Sequence, residues 1–263
     1  MIEALLYYLL LGAVAGTLAG LLGIGGGLII VPVLALTFEM QGFDAAIIMH
    51  LALGTSLATI VVTSLSSIRT HHQHGAVLWP VVTRLSGGIT VGALCGALVA
   101  DQLASEWLQK IFAVFTLLVA MQVALALSPK AGRQLPGRVA LTGVGGVIGA
   151  VSAVVGIGGG TMTTPYLLWC RTAARQAIAT SAACGLPIAL AGAMGYWLAG
   201  LGESALPPWS SGYLYWPAFI GVVTSSVLCA SFGARMTHLL PVNVLKKGFA
   251  LLLFAIGVYL LWV

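Results

Sequence analysis

Eight apolar runs divide the chain, at about 4–38, 45–68, 77–100, 105–127, 139–170, 174–199, 213–234 and 241–262. Several are near the ~20 residues that an α-helix needs to cross a hydrocarbon core of ~30 Å, so membrane-spanning helices are expected. The first and fifth runs do not fit. Drawn as one helix, the stretch 4–38 would be ~52 Å long, too long for one span and too short for two comfortable ones. Both of these runs are interrupted by Gly-Ile-Gly-Gly-Gly, at Gly23–Gly27 and Gly156–Gly160, and both then reach a proline, Pro32 or Pro165. A glycine inside a helix costs roughly 1 kcal/mol relative to alanine. Whatever these glycines do must outweigh that cost twice.

The doubling extends along the whole chain. The two glycine motifs and their prolines match at an offset of 133 residues. "HLALGTSLA" from His50 matches "RQAIATSAA" from Arg175 at 125, and "GAVLWP" from Gly75 matches "GYLYWP" from Gly212 at 137. Gly96-Ala97 matches Gly233-Ala234, and Leu108 and Lys110 match Leu245 and Lys247, again at 137. Four landmarks in one order mark an internal repeat. The halves are residues 1–127 and 139–263, joined by a polar linker over 128–138, and together they form one integral membrane unit.

Composition agrees with a membrane chain: 60% of the 263 residues are hydrophobic and 6% are charged, against about a quarter charged in soluble domains. The formal charge of +5 is spread over short loops, which makes it a topology signal and not a nucleic-acid surface. The early segment has no basic region before it and reads as part of the fold, not as a cleaved leader. Cys95, Cys170, Cys184 and Cys229 have no disulfide or metal spacing and are expected as small buried hydrophobes.

Arginine and lysine positions choose between two topologies. If each awkward segment is a re-entrant hairpin, each half has three true spans and the halves insert in opposite orientations. Ten basic residues then fall on one side (Arg69, Arg84, Lys130, Arg133, Arg138, Arg171, Arg175, Arg235, Lys246, Lys247) and only Lys110 on the other. If the awkward segments cross once, the split is 5 to 6. Cytoplasmic loops carry the excess of basic residues, so the hairpin topology is expected, with all six acidic residues and both termini external. The fold class is thus all-α integral membrane, with two inverted-topology repeats. Each repeat holds one glycine-broken re-entrant helical hairpin plus three transmembrane helices.

Inverted repeats with broken helices point to a transporter whose site lies near the bilayer midplane. Non-helical backbone survives at that depth only inside protein or beside a wet cavity. The arms "LIIVP" and "TMTTP" begin just after the glycines, so their free amides and positive dipole ends would face the tip and attract an anion. Close packing or a flexible kink is the competing reading of the glycines. A dinucleotide fingerprint is not supported, since no βαβ pattern surrounds them.

Candidate substrate-binding residues are therefore Gly25, Gly26, Gly27, Gly158, Gly159, Gly160 and Thr161 at the tips. The recurring pairs Thr55-Ser56 and Thr180-Ser181 add hydroxyls, although such groups also join helices to one another. His50 and Arg175 occupy equivalent positions, either as interfacial residues or as paired gates for an anion at opposite mouths. No carboxylate falls mid-span, which argues against proton or metal-cation transport. His71, His72 and His74 form a cytoplasmic cluster that reads as a solvated loop or a metal or pH site. Gly12, Gly16, Gly20, Gly92 and Gly96 have the spacing of packing faces. No catalytic residues, cofactor or metal site are expected; the competing functional readings are a channel, a membrane enzyme and an assembly protein.

The doubled G-I-G-G-G with its proline, the A-x-G/A-T-S-L/A pattern (Ala52–Leu57, Ala177–Ala182) and the G-x-x-x-W-P starts resemble the TauE/SafE sulfite exporter family, over Gly12 to Leu261. The resemblance implies a multi-pass protein of the bacterial inner membrane exporting sulfite or a related sulfur oxyanion or organosulfonate. It also implies that the two glycine turns are central, with the Thr-Ser pairs beside them. The expected partners are a small anionic substrate and the lipid bilayer, with the protein a monomer or homodimer. Ala179 and Arg175 replace the first half's Gly54 and His50, so the two half-sites are not expected to be identical.

Overall fold

A computed structural model describes residues 2–22, 26–125, 132, 134–236 and 242–262, with side chains for most of these. Ten α-helices are present among them. The first half supplies α1 (Ile2–Leu22), α2 (Gly27–Met40), α3 (Ile48–Gln73), α4 (Trp79–Asp101) and α5 (Ser105–Ala124). The second supplies α6 (Arg138–Val155), α7 (Gly160–Trp169), α8 (Ala174–Ala199), α9 (Trp216–Met236) and α10 (Val242–Trp262). Between α8 and α9 lie a 3-10 turn and a two-residue antiparallel pairing of β1 (Ser210–Ser211) with β2 (Leu214–Tyr215). Among the described residues, α3, α4, α5, α6 and α8 are long and apolar enough to cross a membrane. The protein is an all-α, multi-pass membrane protein.

Each long apolar run is two helices and not one. The second break has a physical signature. Gly156 adopts φ +69°, its N–H donates to the Ala153 carbonyl, and the Ile157 N–H donates to the Ser152 carbonyl. That pair of bonds closes α6 in a Schellman motif, where glycine avoids the Cβ penalty of left-handed backbone. Gly159 then caps α7, and Gly26 caps α2 in the same way. Pro32 and Pro165 each sit at the sixth helical position, where each lacks the N–H that would reach the carbonyl of Leu28 or Thr161.

The halves interlock. α4 and α6 run side by side in the same direction, with Gly88 against Thr142, Gly92 against Gly146 and Gly96 against Ala150. Contact is so close that a Cβ on Gly92 would lie 2.0 Å from the Gly146 oxygen. α1 and α9 repeat this arrangement, Gly12 meeting Val222 and Gly16 meeting Ser226. Small residues allow such backbone approach between membrane helices; Gly20 lies outside the residues whose surroundings are described. α3 and α8 cross the middle in opposite directions, as Gly54 beside Tyr196, Leu57 beside Gly192 and Ser64 beside Gly185 require. α5 and α10 pair outside them.

The two ends differ chemically. One gathers the aromatic cluster of Tyr8, Phe38, Phe43 and Tyr215 together with the chain around Asp44, Asp101, Glu106 and Glu203. The other carries Arg84, Arg138, Arg175 and the histidines at the end of α3, His71 and His72 in its last turn and His74 just after it. Of the cysteines, Cys170 and Cys184 are buried and Cys229 is half-buried, but Cys95 is exposed. It lies on the face of α4 turned away from α6 and α8, a correction that helix periodicity explains, because its neighbours Gly92 and Gly96 take the packed face.

Candidate functional site

The two glycine breaks meet. A Cβ on Gly27 would lie 2.8 Å from the Gly156 oxygen and 3.0 Å from Ile157 Cα, so the start of α2 rests on the turn that ends α6. Ile60 of α3 lies under both breaks, near Gly27 and Gly158. Ser56 Oγ donates to the Gly156 carbonyl at 3.0 Å. On the other flank Gly159 sits against the Ser181 carbonyl and the Gly185 amide of α8, at 2.6 and 3.0 Å from an added Cβ. The second break is thereby held between α3 and α8. Gly25 lies outside the described residues.

This junction is rich in unpaired donors. Neither Gly26 nor Gly159 gives its helix a side-chain cap, and the first N–H groups of a helix have no intrahelical partner. The hydroxyls of Thr161 and Thr163 in the first turn of α7, and of Ser152 in the last turn of α6, are buried and find no hydrogen-bond partner among the described residues. Leaving such a group unpaired costs about 1–3 kcal/mol. Beside them Thr164 Oγ1 and Ser181 Oγ are 2.6 Å apart. In the first half the positions matching Thr161, Thr163 and Thr164 are Leu28, Ile30 and Val31, so hydroxyls line the second arm alone. Ser152, Thr163 and Thr164 were not among the sequence candidates. For the two threonines the signal was present, in "TMTTP" set against "LIIVP".

Thr55 and Thr180 bind backbone of the opposite half. Thr55 Oγ1 accepts from the Tyr215 amide at 3.0 Å, and Thr180 Oγ1 accepts from the Leu78 amide at 3.0 Å. Tyr215 and Leu78 each immediately precede a Trp-Pro helix start. The two contacts are therefore the same contact made twice, each third helix of a half holding the entry of the other half's fourth. Both threonines are fully buried.

His50 and Arg175 lie at opposite ends of the α3–α8 pair and differ in setting. His50 is 4% exposed, its ring is tilted over Tyr213 at 4.9 Å, and Nε2 lies 3.1 Å from the Ala100 carbonyl. That contact requires the proton on Nε2 in the neutral ring, leaving Nδ1 a buried acceptor without a partner. Burial, reinforced by Asp101 and Glu203, pushes the neighbouring Tyr213 phenol up to about 12. Arg175 is exposed and donates to the His74 carbonyl at 3.3 Å. His72 accepts from the Trp79 indole at 3.2 Å, and His74 Nδ1 lies 2.8 Å from the Thr70 carbonyl; these two histidines bond locally and do not converge on one point.

Two helix breaks meet inside a bundle of apolar helices, and comparison with known sequences places the chain among membrane transporters. A family profile described as "Sulfite exporter TauE/SafE" matches residues 8–260. The chain belongs to the TauE/SafE sulfite exporter family. It is 37% identical over 259 residues, 98% of each chain, to a protein of Haemophilus influenzae named probable membrane transporter protein. A Methanocaldococcus jannaschii protein of the same name is 24% identical, covering 96% of this chain and 94% of its own. For a Bacillus subtilis protein, again named probable membrane transporter protein, the figures are 26%, 94% and 96%. No solved structure shows significant similarity to the chain.

Proposed function

We propose that the protein is a secondary transporter of the inner membrane that exports a small anion, sulfite or a related sulfur oxyanion or organosulfonate, by alternating access around the junction of the two glycine breaks. The observation that carries this reading is the meeting of Gly27 with Gly156 and Ile157, beside the unpartnered hydroxyls of Thr161 and Thr163. Uncapped amides and O–H donors suit an anion, and among the described residues no carboxylate stands beside them to favour a cation. Sulfur chemistry comes from the family's description.

The topology proposed is two inverted repeats with re-entrant hairpins. Support comes from direction. α6 runs parallel to α4 and so does α8, since Thr180 faces Leu78 while Gly195 faces Ala97. Two successive parallel helices require α7 to return between them. In the first half Tyr8 near the start of α1 packs on Phe38 near the end of α2, so that pair also leaves where it entered. The pairings α1–α9 and α6–α4 exchange under the repeat numbering, as do α3–α9 and α8–α4.

The test is flux of labelled sulfite in proteoliposomes under an imposed potential, with sulfate, taurine and sulfoacetate as competitors. Saturable, potential-driven flux that falls at least about tenfold in Thr161→Val/Thr163→Val is expected, since each lost charge-assisted hydrogen bond is worth about 1.5–3 kcal/mol. Undiminished flux in that folded variant overturns the site; no flux of any tested anion overturns the substrate class.

A further inference from the structure

A cleft of about 400 Å³ opens at the arginine-rich end, lined by Pro80, Thr83, Arg84 and Arg138. It lies where α4 and α6 begin side by side. We propose that this cleft binds the phosphate headgroup of an anionic phospholipid, whose acyl chain lies in the groove running down between the two helices. The inference does not depend on which anion is transported.

The walls are rigid. Thr142 Oγ1 sits between the carbonyls of Arg84 and Arg138, at 3.1 and 3.0 Å, and the glycine contacts below lock the helices together. Both guanidinium groups are exposed, and the described acidic residues belong to the opposite end of the molecule. Two unneutralised arginines in one cleft match a phosphodiester, which guanidinium binds through paired N–H donors. Both helices also present their positive dipole ends here.

A free phosphate would use only that headgroup chemistry, and the surroundings extend beyond it. Gly87, one turn below Arg84, and Gly143, about one and a half turns below Arg138, have open space where a side chain would stand. Val91 and Val147, both more than 60% exposed, follow one turn further along the same helices. Trp79, 41% exposed, stands beside the cleft at the level where indoles mark the membrane interface. Basic pockets between membrane helices at this depth hold anionic lipid headgroups.

Delipidated protein in neutral detergent would be titrated with phosphatidylglycerol, phosphatidylcholine or inorganic phosphate, reading bound lipid by native mass spectrometry and the midpoint of thermal unfolding. One phosphatidylglycerol per chain is expected to bind and raise the midpoint, with neither effect from phosphatidylcholine or phosphate. In Arg84→Gln/Arg138→Gln the affinity should fall about twenty-five-fold, at about fivefold per arginine near a charged surface. Should that variant fail to fold, Gly143→Leu fills the groove, leaves both arginines in place and should weaken the lipid alone. Equal binding of phosphatidylcholine, an equal effect of inorganic phosphate, or unchanged lipid affinity in either folded variant would overturn the proposal.

Discussion

Replacing Thr55 by valine keeps the shape of the side chain and deletes one oxygen. That oxygen accepts the Tyr215 amide at 3.0 Å, and the pair is buried, Thr55 fully and Tyr215 to 9% exposure. With no other acceptor offered, the amide bears the penalty of an unpaired buried donor, about 1–3 kcal/mol. Thr180→Val should cost toward the lower end of that range, because Leu78 is only half-buried. The two contacts lie toward opposite ends of the α3–α8 pair and share no partner, so the double variant should lose the sum of the single losses. Thr55→Ser restores the acceptor and loses one methyl group, about 1 kcal/mol. Stability would be followed by denaturant titration in mild detergent, with intrinsic fluorescence as the probe. Valine at position 55 as stable as threonine, or serine less stable than valine, would refute the assignment of this hydroxyl to the other half's helix entry.

Gly27→Leu should abolish transport, because its side chain must enter the space held by the Gly156 oxygen and Ile157; sulfite flux at wild-type level would refute the junction. Gly92→Ala drives a methyl group to 2.0 Å from the Gly146 oxygen and should lower stability by about 1–3 kcal/mol. Gly87→Ala meets open space on the same helix and should be neutral or stabilising by up to about 1 kcal/mol, so thermal midpoints of the two should move apart. Arg171 ends α7 at φ +60°, and Arg171→Gly should stabilise by up to about 1 kcal/mol. Cysteines placed at Gln73 and at Glu203 should react with an impermeant maleimide from opposite sides of the membrane, Glu203→Cys from outside in intact cells.

Much of the fold was legible because a membrane helix must satisfy its backbone within one segment. The apolar runs consequently delimit the helices to within a few residues, and only the two glycine-bearing runs divide. The glycines at 92 and 96 could be read as a packing face, since close approach demands small residues. Their partner could not. Nothing in Gly92 points to Gly146, and nothing in Thr55 points to an amide 160 residues away. Hydroxyl spacing is silent about the partner: in the Thr-Ser pairs each threonine meets the backbone of the opposite half, while each serine turns to the second glycine break or its arm. The exposure of Cys95 followed from the same gap: hydropathy marks a residue as apolar without telling a protein neighbour from a lipid one.

The interlocking of α1 with α9 has a consequence for biosynthesis. Val222, which Gly12 packs against, emerges from the ribosome roughly 200 residues later, on the order of 10–40 s at ordinary elongation rates. Throughout that interval the small-residue face of α1 is left to lipid, insertion machinery or chaperone. A chain halted after α5 would present the unpaired faces of both α1 and α4 at once, a mark by which membrane proteases could sort incomplete chains from finished ones.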